Sequence, residues 1–109
     1  MDIKALSADL EKISSTYAKT FGIDQTPEWF LLKLTEELGE LVQSYLKYAG
    51  QARIDPEMAS TLRVNLEDEL ADVLGMTLLV ASHHGIDVEQ AITRKWLKHL
   101  RTEDAEKNG

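Results

Sequence analysis

The 109-residue sequence contains no cysteine, which excludes disulfide bonds and thiolate-ligated metal sites. It has no apolar run long enough to span a membrane, and its N-terminus lacks the apolar segment of a secretory signal peptide. We therefore expect a cytoplasmic protein that does not insert into membranes. Positive charge is scarce too, because 12 lysine and arginine residues face 19 acidic residues, for a net charge of −7. Nucleic-acid polymers are bound through basic surfaces, and no such cluster is visible, so we expect no polymeric nucleic acid as a partner.

Proline is also scarce, and both prolines fall where the sequence predicts the start of a helix. Apolar residues recur at steps of three and four through four segments, which is typical of amphipathic helices, and no strand pattern is visible. The predicted helices run from Ile3 to Phe21, from Pro27 to near Gly50, from Asp55-Pro56 to just before Gly85 with a strong pattern from Leu62 onward, and from Asp87 to near Arg101. The stretch from Pro56 to Arg63 is less regular and is predicted to be frayed or separate from the third helix.

These segments predict an all-α protein with a single domain over residues 1–109, in which the polar residues 102–109 form a frayed tail. A chain of this length buries only about two-thirds of its unfolded surface on folding. Association with a second copy would therefore add stability.

A weak internal repeat is the most informative feature of the sequence. Residues 34–41 match residues 66–73 in chemical type, position by position, at an offset of 32 residues. Each copy carries a glutamate followed three residues later by a second acid: Glu37 with Glu40, and Glu69 with Asp72. At about 100° per residue, both acidic pairs border the apolar stripe of their helix. If the two stripes pack antiparallel, the four carboxylates converge.

Such a convergence is unfavourable without a cation. Like charges three or four residues apart destabilise a helix by about 0.2–0.5 kcal/mol per pair, and burial raises the cost. No lysine or arginine follows four residues later to relieve these pairs. All-oxygen ligands suit Mg²⁺ or Mn²⁺, which would remove the repulsion. The sequence therefore predicts a divalent metal site between the second and third helices.

Two other interpretations compete with a magnesium enzyme. A Glu-x-x-Glu motif on a surface helix is usually just solvated, in which case the chain would be a non-catalytic acidic helical bundle that serves as an interaction module. A di-iron carboxylate bundle uses Glu-x-x-His motifs, and this sequence has none. The paired motifs favour a site over a solvated face, because a solvated face has no reason to border the core twice.

The pattern Glu36-Glu37-x-x-Glu40 followed by Glu69-x-x-Asp72 resembles the signature of the MazG-type all-α nucleoside triphosphate pyrophosphohydrolases. The similarity extends from about residue 29 to residue 101. It implies a four-helix-type bundle completed by dimerisation, with dimers sometimes paired into tetramers. It also implies Mg²⁺-dependent hydrolysis of a nucleoside triphosphate between the α- and β-phosphates, in a role that cleans nucleotide pools. The same scaffold could also accept phosphoribosyl-ATP as substrate, and no motif in the sequence indicates which base is preferred.

The resemblance also assigns roles to residues. Glu36 would be an additional metal ligand, or would orient or deprotonate the attacking water. The metal ligands would be Glu37, Glu40, Glu69 and Asp72, and the phosphates would be gripped from the last helix by Lys95 and Arg101, with Lys98 as a competitor for the same role.

Three further residues are candidates for substrate contact. Lys33 lies one turn before Glu37 on the same helical edge and could touch phosphate, although a solvated or salt-bridged lysine is the simpler interpretation. Asn65 occupies the corresponding position before Glu69. Trp29 could stack on the base, although burial against the first helix is the simpler interpretation.

Overall fold

A computed structural model describes residues 2–100 as four helices, and the predicted all-α class is confirmed. The helices are α1 (Ile3–Phe21), α2 (Pro27–Tyr48), α3 (Leu62–His83) and α4 (Val88–Ile92), with a 3₁₀ turn at Pro56–Met58 and a π-helical segment at Thr93–Leu97. No strand occurs between residues 2 and 100. Within that range no helix is long and apolar enough to cross a membrane. Arg101 and the tail at residues 102–109 lie outside the described residues.

The helices begin and end at residues suited to capping. Thr26 precedes Pro27 at the start of α2, and its hydroxyl accepts a hydrogen bond from the Trp29 N–H at 3.1 Å. Asp87 caps α4 by accepting from the Gln90 N–H at 3.0 Å. Gly22 ends α1 in the left-handed conformation, with φ at 63°, which a residue with a Cβ rarely adopts. These local signals explain why the predicted bounds of α1 and α2 agree with the structure. Helix α3 begins at Leu62 and not at Pro56, because Pro56 starts a separate 3₁₀ turn, the alternative considered for this less regular stretch.

Helices α2 and α3 form an antiparallel pair that holds most of the tertiary contacts. At one end, the rings of Phe30 and His83 lie with their centroids 4.8 Å apart. At the other end, the Arg63 guanidinium donates to the Tyr48 hydroxyl at 3.2 Å. The middle of α2 therefore faces the middle of α3, where both acidic motifs lie.

The core between the helices is small. Helix α1 lies against α3, with Leu10 beside Gly75, and the buried apolar residues in the described part of the chain are Phe30, Leu78, Leu79 and Ala81. The Cα radius of gyration is 17.9 Å, against about 13 Å for a compact chain of this length. Large apolar side chains are exposed on every helix, among them Ile13, Leu32, Leu74 and Trp96. These exposed side chains form a large apolar surface that a second copy of the chain could cover. Dimerisation itself stays a prediction.

The last helix continues to the end of the described residues, as predicted, but it is not α-helical throughout. Helix α4 ends at Ile92, a π-helical segment follows at Thr93–Leu97, and residues 98–100 are again α-helical. Two β-branched residues, Ile92 and Thr93, stand at the junction, where they disfavour regular α-helix. In the described residues this segment makes few contacts with α1, α2 or α3 and leaves Trp96 exposed, so little tertiary contact holds it in α geometry.

Candidate metal centre

Five carboxylates from the two acidic motifs converge between α2 and α3. One oxygen each from Glu36, Glu37 and Glu40 lies within 4.8 Å of the others, and the same holds for Glu37, Glu69 and Asp72. Glu37 belongs to both groups and therefore links the two halves of the cluster. We call these five residues the carboxylate cluster.

The packing of the two helices positions these side chains. Leu34 and Leu41 of α2 are half-buried, as are Leu66 and Val73 of α3, so the apolar stripes meet as the helical wheels predicted. Each acidic motif lies at the margin of its stripe and is carried to the same edge of the helix pair. The residues of the cluster differ in exposure. Glu37, Glu40 and Glu69 are half-buried, whereas Glu36 and Asp72 are exposed.

Two oxygen atoms of the cluster are buried without a hydrogen-bond partner: Oε2 of Glu37 and Oε2 of Glu69. Leaving a buried polar group unpaired costs about 1–3 kcal/mol, and more for a charged group. The pKa of Glu37 is raised to about 7. Burial is the largest cause, followed by the close approach of Glu40 and by the charges of Asp72 and Glu69. The pKa of Glu69 is also raised, first by burial and then by the charge of Glu40. The cluster is therefore electrostatically strained in the absence of a cation.

A hard divalent cation fits this donor set. The donors are all carboxylate oxygens, which Mg²⁺ and Mn²⁺ prefer over nitrogen or sulfur ligands. The two unpaired buried oxygens would each gain a partner, and the repulsion that raises the pKa of Glu37 would be removed. The chemistry of the residues thus supports the predicted metal site.

A comparison with protein families agrees with this geometry. Residues 25–103 match the family model described as the MazG nucleotide pyrophosphohydrolase domain, and the match covers well over half of the chain and all five cluster residues. The chain belongs to the MazG family. No curated protein and no solved structure matches it. The MazG domains are generally metal-dependent, in keeping with the carboxylate cluster found here.

Lys33 approaches the cluster of this MazG domain from the N-terminal end of α2. Its ammonium group forms a salt bridge with Glu36 at 3.2 Å and lies 6.0 Å from the centre of the Trp29 ring. The hydrogen bond to Glu36 is the main cause that raises the pKa of Lys33. The salt-bridged state considered for Lys33 is thus the one observed, and it places a cation beside the cluster.

Trp29 and Lys95 lie in different surroundings. Trp29 is half-buried and packs edge-on against Phe30, with ring centroids 5.2 Å apart, so part of its ring is accessible next to Lys33. Lys95 is exposed on the π-helical segment, which packs mainly against α4. Among the described residues Lys95 forms no ion pair with a carboxylate of the cluster, and Arg101 lies outside the described residues.

Sequence reasoning missed one basic residue near the cluster. Lys47 lines an open cavity of about 410 Å³ together with Glu40 and Glu69 of the cluster. The signal was present in the sequence, because Lys33, Glu40 and Lys47 follow one another at intervals of seven residues and so share one face of α2.

Proposed function

We propose that this MazG domain is a Mg²⁺-dependent nucleoside triphosphate pyrophosphohydrolase. It converts a ribo- or deoxyribonucleoside triphosphate and water into the monophosphate and pyrophosphate. The observation that carries the proposal is the pair of buried, unpartnered oxygens of Glu37 and Glu69 within the carboxylate cluster. A role in clearing nucleotide pools follows, in the cytoplasm where those pools are.

In this proposal, Mg²⁺ would be held by Glu37, Glu40, Glu69 and Asp72, and Mn²⁺ could substitute for it. When bound, the ion would offset the charge of the substrate's phosphate oxygens and lower the pKa of a coordinated water. This arrangement also accounts for an acidic protein binding an anionic substrate, because the cation stands between the two sets of negative charge.

Glu36 is the proposed catalytic residue. It is exposed at the edge of the cluster, where its salt bridge with Lys33 fixes one carboxylate oxygen. A charged carboxylate in that position can orient an attacking water and accept its proton. The water oxygen bonds to the α-phosphorus, the bond from that phosphorus to the bridging oxygen breaks, and its electron pair leaves with pyrophosphate.

Substrate contacts are proposed at both ends of the site. Lys33 and the accessible part of the Trp29 ring would contact the substrate at the N-terminal end of α2. Lys95 and Arg101 remain proposed phosphate contacts. In this proposal a second copy of the chain supplies Lys95, because Lys95 pairs with no carboxylate of the cluster in its own chain.

Oligomerisation is therefore part of the proposed function. We propose a homodimer or a pair of dimers, in which the apolar side chains exposed on α1, α2 and α3 are covered. A mass measurement in solution, by light scattering at several protein concentrations, tests this part of the proposal. A strictly monomeric protein would contradict it.

The activity is tested by incubating the protein with the four common ribonucleoside and four deoxyribonucleoside triphosphates in Mg²⁺. We expect pyrophosphate and a nucleoside monophosphate from at least one substrate, no product in excess EDTA, and loss of the activity in Glu69→Gln. Glu67→Gln is the matched control, because Glu67 is exposed on the same helix and pairs with Arg63 at 3.7 Å. Release of orthophosphate and a diphosphate would contradict the proposal. A non-catalytic interaction module would release no product from any substrate, with or without Mg²⁺.

A further inference from the structure

A polar cavity lies beside the carboxylate cluster. It opens between the C-terminal half of α2, the Pro56–Met58 turn and the first turns of α3, and has a volume of about 410 Å³. Glu40 and Glu69 form the wall that it shares with the cluster. The rest of the lining consists of Gln43, Ser44, Lys47, Met58, Leu62 and Asn65.

The polar side chains of this cavity have unused hydrogen-bonding capacity. Lys47 is half-buried, yet it forms no ion pair with any residue between 2 and 100, although two carboxylates line the same cavity. Gln43 and Ser44 likewise form no side-chain hydrogen bond within that range. Asn65 donates only a long bond of 3.4 Å to Thr61. A set of unpaired donors around a lysine suits an anionic ligand with several acceptor oxygens.

Lys47 also has a defined position relative to the cluster. Lys33, Glu40 and Lys47 are seven residues apart on α2, so that the backbone of each lysine lies about 10 Å along the helix axis from that of Glu40, on the same face. A substrate that crosses the cluster along α2 would thus meet a lysine at each end.

The two ends differ in chemistry. The end at Lys33 includes the Trp29 ring, 6.0 Å from the ammonium group, and an aromatic ring is a surface on which a nucleobase can stack. The cavity at Lys47 has no aromatic ring in its described lining, and beyond the two carboxylates of the cluster its polar wall consists of amide, hydroxyl and ammonium donors, with Met58 and Leu62 beside them. A single orientation of the nucleoside triphosphate therefore suits both ends of the site, with the base toward Trp29 and the terminal phosphates toward Lys47.

We propose that this cavity binds the pyrophosphoryl end of the substrate, and the released pyrophosphate, with Lys47 as its binding cation. The inference rests on the proposed function and adds a direction to it. The α–β anhydride lies at the carboxylate cluster, and the β- and γ-phosphates extend into the cavity. When the bond from the α-phosphorus to the bridging oxygen breaks, the electron pair leaves with pyrophosphate on the side of Lys47.

The test is a calorimetric titration with the two products in separate experiments, in the presence of Mg²⁺. The probes are inorganic pyrophosphate, and dAMP, dCMP, dGMP and dUMP in turn. We expect Lys47→Gln to weaken pyrophosphate binding by about tenfold or more, the usual effect of losing a charge-assisted hydrogen bond, while monophosphate binding changes by less than about twofold. Lys47→Arg should keep most of the affinity. The matched control is Lys12→Gln, which removes an exposed lysine from α1 and should leave both affinities unchanged.

A second variant keeps the test independent of Lys47. Asn65→Asp adds a negative charge to the cavity and should weaken pyrophosphate binding selectively, with unchanged circular dichroism. If Lys47→Gln binds pyrophosphate as tightly as the unmodified protein, or if its loss falls on the monophosphate, the inference is wrong while the proposed function stands. If the unmodified protein neither binds pyrophosphate with Mg²⁺ nor releases it from any triphosphate, the proposed function itself fails.

Discussion

Glu37 is the residue at which the electrostatic account makes its sharpest prediction. The change is Glu37→Gln, which keeps the size of the side chain and removes its charge. In the metal-free protein, the pKa of Glu37 is raised from 4.5 to about 7, chiefly by burial. The folded state therefore binds more protons than the unfolded state between these values, and the free energy of unfolding must fall as the pH rises through that window.

The size of the effect follows from the pKa shift. One pKa unit corresponds to about 1.4 kcal/mol, so the full shift would amount to about 3 kcal/mol. Glu37 is partly open to solvent, and screening reduces this to roughly 1–2 kcal/mol. Glutamine carries no charge at any pH. Metal-free Glu37→Gln should therefore be more stable than the unmodified protein at pH 8 by roughly 1–2 kcal/mol, and about equally stable near pH 4.5.

The assay is thermal unfolding in EDTA, followed by circular dichroism at fixed protein concentration from pH 4.5 to pH 8. A gain of roughly 1–2 kcal/mol corresponds to a rise in Tm of about 5–10 °C for a domain of this size. Excess Mg²⁺ should reverse the order, because only the unmodified protein gains the stabilisation that comes from binding, about 2.7 kcal/mol at a hundred times Kd. The control Glu67→Gln should follow the unmodified protein throughout.

Two outcomes would refute the reasoning. A variant that is less stable than the unmodified protein in EDTA at pH 8 would show that the Glu37 charge is stabilising, and that the cluster is not strained. A stability difference that is the same at pH 4.5 and pH 8 would show that it does not arise from ionisation.

Three further predictions concern the start of α2, the assembly and the bond that is cleaved. Thr26→Ala removes the hydroxyl that caps α2 and should cost about 1 kcal/mol in urea unfolding, and an unchanged midpoint would contradict the role of the cap. The double change Leu70→Glu and Leu74→Glu places charges on exposed apolar positions of α3 and should lower the mass measured by light scattering, with helix content retained. Hydrolysis in ¹⁸O-labelled water should place the label in the monophosphate, and label in pyrophosphate would mean attack on the β-phosphorus.

Much of the fold could be predicted because its signals are local. The bounds of α1 and the start of α2 follow from Gly22 and from Thr26 with Pro27, whose effects depend only on neighbouring residues. The approach of Glu37 to Glu69 could also be predicted, because two amphipathic stripes that pack antiparallel carry their margins with them. That prediction needed only the period of the α-helix, 3.6 residues per turn.

Other features depend on contacts that no local pattern encodes. The cavity around Lys47 exists because the Pro56–Met58 turn closes one side of it, and the path of that connection is set by the packing of α2 on α3. The π-helical segment lies in a part of the chain that makes few contacts with α1, α2 and α3. Surfaces that a second copy would cover cannot be located from the periodicity of one chain.

Manganese binding tests most directly whether the carboxylate cluster is the metal centre. Mn²⁺ can replace Mg²⁺, and electron paramagnetic resonance measures the concentration of the free ion. On titration with the protein, we predict that the free-ion signal falls for the unmodified chain and for Glu67→Gln. The signal should persist for Glu69→Gln at about tenfold higher protein concentration, since that variant loses a buried carboxylate ligand. Equal binding by Glu69→Gln and the unmodified chain would contradict the assignment of the carboxylate cluster as the metal centre.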